Sequence, residues 1–230
     1  KKILTRCGAL LTAVLVLAPT ALAAEAEIPY IPQTVPAAQL APADQRGQED
    51  WQLLLVNPWH TVPEGYEIKL ATLSNGLQVD ERIYDDLDDM LSDCREAGLN
   101  PIVCSAYRTE ATQTRLYRNK VARVRASGVP EDRVEAEAAR WVAKPGTSEH
   151  QTGLALDIVA AGYQILDEEQ EDTAEQKWLM ENSWKYGFIL RYPSEKSDIT
   201  GIGYEPWHYR YVGKAAAADI YRTGVCLEEY

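Results

Sequence analysis

Ser148-Glu149-His150-Gln151-Thr152-Gly153-Leu154-Ala155-Leu156-Asp157, together with the later Glu205-Pro206-Trp207-His208-Tyr209-Arg210, decides how this chain is read. The protein has only three histidines, His60, His150 and His208, and two of them fall in these stretches. A hydrolytic zinc site needs about three protein ligands from His, Asp, Glu or Cys, with a position left for water. His150, Asp157 and His208 supply two imidazoles and one carboxylate. A metal held there acidifies water to a pKa of roughly 7. A carboxylate beside that water must then carry its proton to the leaving amine. Glu205 suits the role if the chain bends at Pro206, because on a straight strand Glu205 and His208 would point to opposite faces. Gly153 permits a turn or a close backbone approach. Ala155 shares strand parity with Asp157 and leaves room for the ligand. Arg210 shares parity with His208 and could orient a carboxylate behind it. His60 reads as an ordinary structural histidine.

Around these motifs the pattern is one of alternating helices and strands. Ile83, Leu87, Leu91 and Cys94 recur at helical spacing from Asp80 until Gly98 stops the run. The carboxylates Asp85, Asp86, Asp88, Asp89 and Asp93 on this stretch read as a solvated helix face, since no glycine-bearing calcium loop accompanies them. Strands are expected over 66–73, 101–107 and 207–212, and helices over 109–126, 131–142, 173–186 and 214–222. There is no internal repeat and no Gly-rich phosphate loop. The fold class is therefore α+β, a small central antiparallel sheet flanked by helices.

The residues also carry a resemblance. S-x-H-x-x-G-x-A-x-D followed by E-x-W-H resembles the signature of the VanY-like D-Ala-D-Ala carboxypeptidases, in the LAS group of zinc metallopeptidases. Here it reads Ser148, His150, Gly153, Ala155 and Asp157, then Glu205, Trp207 and His208. Upstream, Ser105-Ala106-Tyr107-Arg108-Thr109 with Gln113 is similar to that family's S-G-Y-R-[ST]-x-x-x-Q segment, with Ala106 in place of the usual glycine. The similarity runs from about Leu55 to Tyr211. It implies a LAS/hedgehog-like zinc peptidase fold and one Zn2+ per chain on His150, Asp157 and His208. Glu205 is implied as general base, and Arg108 near the scissile carbonyl or its oxyanion. Gln113 and Ser148 would contact the substrate's terminal carboxylate, with Tyr107 and Ser105 in the same substrate-binding segment. The implied substrate is a peptidoglycan stem peptide ending in D-Ala. DD- and LD-carboxypeptidase action both remain open, as do an endopeptidase and a non-catalytic peptidoglycan-binding module.

Farther out, Lys1, Lys2 and Arg6 precede an apolar run to Ala18, and Ala21-Leu22-Ala23 fits a signal-peptidase site. Residues 1–23 are thus expected to be a secretory signal, residues 24–50 a Pro/Ala-rich linker and residues 51–230 the catalytic domain. The run is too short for a confident membrane span unless the leader is retained as an anchor. Removing a leader with three positive charges and no negative one takes the net charge from −12 to −15. So acidic a surface argues against nucleic acid and anionic lipid as partners. A secreted or envelope-associated monomer is expected. Cys94, Cys104 and Cys226 would remain, of which Cys94 and Cys104 could pair in an oxidising compartment.

Overall fold

The computed structural model describes residues 51–230, so the expected leader and linker lie outside the described residues. A short ribbon comes first, β1 (Leu70–Thr72) paired antiparallel with β2 (Gln78–Asp80). There follow α1 (Tyr84–Glu96), β3 (Pro101–Ser105), α2 (Glu110–Ala126), α3 (Glu131–Ala139) and β4 (Ala155–Ala160). The remainder is α4 (Ala174–Asn182), β5 (Phe188–Leu190), the single turn α5 (Ser197–Thr200), β6 (His208–Tyr211) and α6 (Lys214–Thr223). The α+β expectation holds. The main sheet has strand order β3-β4-β6-β5, antiparallel at every pairing.

Local chemistry accounts for these elements. In α1 the buried side chains are Leu87, Met90, Leu91 and Cys94, one stripe at helical spacing, while Asp85 and Asp86 occupy the first turn. Negative charge there favours the positive end of the helix dipole. Thr109 caps α2, its Oγ1 accepting from Thr112 N at 3.3 Å. Among the aspartates of α1, Asp86 accepts from Tyr211 Oη at 2.7 Å and pairs with Lys214 at the same distance, and Asp93 accepts from Tyr186 Oη. These carboxylates serve as docking points for β6, α6 and the turn after α4. The three described cysteines are free. Cys94 faces the core from α1, so it forms no bridge with Cys104 of β3.

β4 is buried along its whole length. Its alternate residues Leu156 and Ile158 join Leu87, Met90, Leu179 and Phe188 in the main core. Burying each such side chain is worth about 1.5–3 kcal/mol. The opposite parity of β4 carries Asp157, which therefore emerges on the face away from that core. Its neighbours across the sheet are Ser105 on β3 and His208 on β6. The turn leading into β4 is fixed by Gly153, whose φ of +72° is a left-handed conformation. A Cβ at this position would lie 2.4 Å from Ile68 Cδ1 and 2.9 Å from Asp80 N. The small ribbon thus packs directly on the turn that carries His150, and Asp80 N donates to Gly153 O at 3.0 Å.

Candidate active site

Three elements bring the polar residues together. His150 lies on the 3-10 turn Glu149–Thr152, Asp157 on β4 and His208 at the start of β6. Their candidate donor atoms all lie within 4.8 Å of one another, and all three residues are buried. Asp157 Oδ1 is the common point, 3.4 Å from His150 Nε2 and 3.2 Å from His208 Nδ1. Its other oxygen, Oδ2, accepts from Arg108 Nη2 at 2.7 Å. Glu205 reaches the same place, its Oε2 3.6 Å from His208 Nδ1. The bend expected at Pro206 is present as a turn over Pro206-Trp207, with His208 N donating to Glu205 O at 3.1 Å.

Hydrogen bonds on the far side of each ring set which nitrogen is free. His150 Nδ1 lies 2.8 Å from Ala106 O. A carbonyl only accepts, so Nδ1 carries the proton and Nε2 presents its lone pair to the site. His208 is held the other way round: its Nε2 lies 3.3 Å from Glu149 Oε2, leaving Nδ1 facing Asp157 and Glu205. Glu149 in turn accepts from Arg191 Nε at 2.7 Å and Arg210 Nη1 at 2.8 Å. The carboxylate that the parity of Arg210 pointed to is therefore Glu149.

The electrostatics suit a cation. Burial, with help from Arg108, pushes the His150 imidazole down to about 4, so it stays neutral. Burial alone would also raise Asp157, but His150, His208 and Arg108 outweigh it and hold the carboxyl well below its usual range. Glu205 is pushed up to about 8 by burial, with the Asp157 charge adding to it. For His208, burial opposes protonation, yet hydrogen bonds to Asp157 and Glu149 carry it up to about 9. A pocket that draws protons onto a carboxylate and an imidazole at once is short of positive charge. Two imidazole nitrogens and one carboxylate oxygen converging on it, with one side open to the cleft, are the donor set of a catalytic zinc. The residues fit that metal.

The site opens into a cleft of about 770 Å³. Arg108, Gln113, Ser148 and Glu205 all line it. Gln113 is fully buried, donating from Nε2 to Ala143 O at 2.8 Å with Oε1 3.5 Å from Arg108 Nη1. Ser105 and Tyr107 are not part of the cleft wall. Ser105 instead stands behind it, its Oγ accepting from Arg108 Nε at 2.9 Å and Nη2 at 2.7 Å. His60 stays apart and exposed, its Nδ1 2.9 Å from Oδ1 of the buried Asn57. Sequence reasoning passed over Glu149, Arg191 and the cleft-lining Lys120 and Trp141. Glu149 occupies a variable position inside the motif. Arg191 carries only one weak hint, its place at the end of the apolar run Phe188-Ile189-Leu190.

Comparison with known proteins agrees with this geometry. The VanY family, D-alanyl-D-alanine carboxypeptidase, matches residues 76–214. Over 192 residues the chain is 48% identical to a D-alanyl-D-alanine carboxypeptidase of Enterococcus faecalis (strain ATCC 700802 / V583), covering 83% of this chain and 70% of that one. It is similar to the solved structure of VanYB in complex with D-alanine-D-alanine, with a TM-score of 0.73 at 48% identity, covering 79% of this chain and 97% of that one. A mutant of the vancomycin resistance D,D-pentapeptidase VanY from a VanB-type resistance cassette, in complex with Zn(II), gives 0.72 at 48% identity, covering 79% and 99%.

Proposed function

The chain belongs to the VanY D-alanyl-D-alanine carboxypeptidase family, and from that membership we propose how its residues remove the terminal D-alanine of a peptidoglycan stem peptide. It is a zinc-dependent carboxypeptidase acting on substrates that end in D-Ala. His150, Asp157 and His208 hold one zinc. When bound, the metal supplies a Lewis acid that acidifies water and polarises a carbonyl. Glu205 accepts the proton of the attacking water and delivers it to the leaving amine of D-Ala. Arg108, fixed by Ser105 and Asp157, directs its remaining donors toward charge that develops on the scissile carbonyl oxygen. Ser148 and Gln113, on the cleft wall, bind the substrate's terminal carboxylate.

One observation carries the residue assignment. His150 Nε2 and His208 Nδ1 close on Asp157 Oδ1 to make three donors of the right chemistry, and a fourth group, Glu205, stands beside them without being needed as a ligand. Of the two exopeptidase specificities, removal of D-Ala from a D-Ala-D-Ala end is favoured by the likeness to VanYB in complex with that dipeptide. Mass spectrometry of pentapeptide and tetrapeptide stems after incubation tests both points. Loss of one D-Ala from the pentapeptide, abolished by a chelator, is expected. Cleavage of the tetrapeptide alone would reverse the specificity, and cleavage inside a cross-linked stem would make the enzyme an endopeptidase.

The substrate places the enzyme's work at the cell wall. Among the described residues no helix is long and apolar enough to cross a membrane. Export through the leader at residues 1–23, with action as a monomer outside the cytoplasmic membrane, completes the reading. Mass measurement of the mature protein and its sedimentation test those two parts.

A further inference from the structure

We propose that Glu149 is the positioning residue of the metal ligand His208, and that Glu228 holds it in place through Arg191. This inference rests on the reading of His208 as a zinc ligand.

The Glu149 side chain is 0% exposed, and so is that of Arg191. A buried carboxylate without partners is strongly destabilising, so one is retained only where its lone pairs are occupied. Here both oxygens have assigned work. Oε1 accepts from Arg191 Nε at 2.7 Å and Arg210 Nη1 at 2.8 Å. Oε2 is thereby left for His208 Nε2, 3.3 Å away. The carboxylate is negative between two guanidinium groups, so it accepts and does not donate. His208 Nε2 therefore keeps its proton toward Glu149, and Nδ1 is the nitrogen that would give up its proton to a cation in the donor cluster. A carboxylate in this position also makes the imidazole a stronger ligand.

The two arginines are themselves anchored from outside the motifs. Arg191 Nη1 donates to Glu228 Oε2 at 2.8 Å and Nη2 to Glu228 Oε1 at 2.6 Å. Glu228 Oε1 also accepts from Asn57 Nδ2 at 3.1 Å. Arg210 Nη2 donates to Gln52 O at 3.0 Å and Leu54 O at 2.8 Å. Segments from both ends of the described chain thus converge on one carboxylate behind a single metal ligand. Among the described residues no comparable side chain stands behind His150, which leans on a main-chain carbonyl.

The test compares zinc-loaded wild type, Glu149→Gln and Glu228→Gln by competition with a zinc chelator, alongside kcat and KM for D-Ala release. Glu149→Gln should weaken zinc binding by about 10–100-fold and lower kcat with KM unchanged. Glu228→Gln should act in the same direction by about tenfold, the low end of that range. A role in packing alone would lower the melting temperature and leave the zinc dissociation constant at its wild-type value, and that result overturns the proposal. Should Glu149→Gln not fold, Glu228→Gln decides by itself, and wild-type zinc affinity there overturns the proposal. His208→Ala serves as the control for the underlying reading. If it keeps wild-type zinc affinity, the ligand assignment is wrong, whatever Glu149 does.

Discussion

Asp157 and His208 stand directly opposite each other on β4 and β6, with Asp157 Oδ1 3.2 Å from His208 Nδ1. Side chains at facing antiparallel positions leave the sheet on the same side with Cβ atoms about 4.5–5.5 Å apart. Strand register therefore sets the spacing of two of the proposed metal ligands before any loop is considered. Slipping the pairing by one residue would send one of them into the hydrophobic core.

Removing either imidazole should empty the site. Purified wild type is expected to carry about one zinc per chain, and His150→Ala or His208→Ala almost none. Elemental analysis of dialysed protein decides this. Full D-Ala release with a strong chelator present and no metal in the protein would refute the zinc assignment.

Glu205→Gln separates proton transfer from binding. The variant should fold, keep its zinc and still bind a D-Ala-D-Ala peptide, while kcat falls by about 10²–10⁴-fold. Product release and peptide affinity are measured side by side. Turnover at the wild-type rate would remove Glu205 from the role of base.

Arg108 faces in two directions, toward the cleft and toward Asp157 Oδ2 at 2.7 Å. Arg108→Ala should therefore lower kcat by about 10²–10³-fold through the lost oxyanion donor. It should also weaken zinc binding, because the ligand carboxylate loses the partner that fixes its rotation. Chelator competition and steady-state kinetics on one preparation check both effects. A change confined to KM would move Arg108 to ground-state binding of the substrate carboxylate.

Gly153→Ala should cost about 1–3 kcal/mol from the left-handed backbone alone. The contact of its Cβ with Ile68 and Asp80 would add to that. Thermal unfolding of wild type and variant gives the difference. An unchanged melting temperature would mean that the turn before β4 is not held as described.

Acid should loosen the C-terminal segment before the core. Burial alone would raise Glu228, but its hydrogen bonds to Arg191 outweigh this and hold the carboxyl below its ordinary value of 4.5. Glu229 is lowered against burial in the same way, by Lys196 at 2.8 Å. Groups depressed on folding stabilise the native state above their unfolded pKa, and that stabilisation drains away as pH falls through the folded one. Hydrogen exchange over 224–230 should thus accelerate as pH drops below about 4.5, once corrected for intrinsic rates. In Glu228→Gln the acceleration should be much reduced. Equal pH dependence in both proteins would show that this contact does not hold the segment.

Much of this was legible in the residues, for definite reasons. The proposed metal ligands sit in short motifs whose spacing is dictated by strand parity and one turn, both local properties. The helices over 110–126 and 214–223 begin and end within a residue of expectation, because caps and glycines are local signals too. The 66–73 run narrowed to Leu70–Thr72, since a strand exists only where a partner pairs with it, and the partner β2 is three residues long. Phe188–Leu190 went unread as a strand because so short an apolar run has no measurable period. The contact of Ser105 with Arg108 is set by the register of β3 against β4, which no local pattern reveals. Glu149 was invisible for a deeper reason. What makes it matter is its enclosure by Arg191, Arg210 and Glu228, distant in sequence, and a glutamate destined for burial looks like any other.

The two histidine rings are braced by different kinds of partner, His150 by a main-chain oxygen and His208 by a side chain. A carbonyl is present whichever side chain its residue carries, so the brace on His150 is not itself encoded by a side chain. Ala106, which supplies that oxygen, is 1% exposed and packs its methyl group in the main core. The brace on His208 is encoded in a single glutamate and two arginines, each exposed to mutation. Heritable tuning of metal affinity in this enzyme should therefore accumulate on the His208 side of the site, while the His150 side stays fixed by the chain itself.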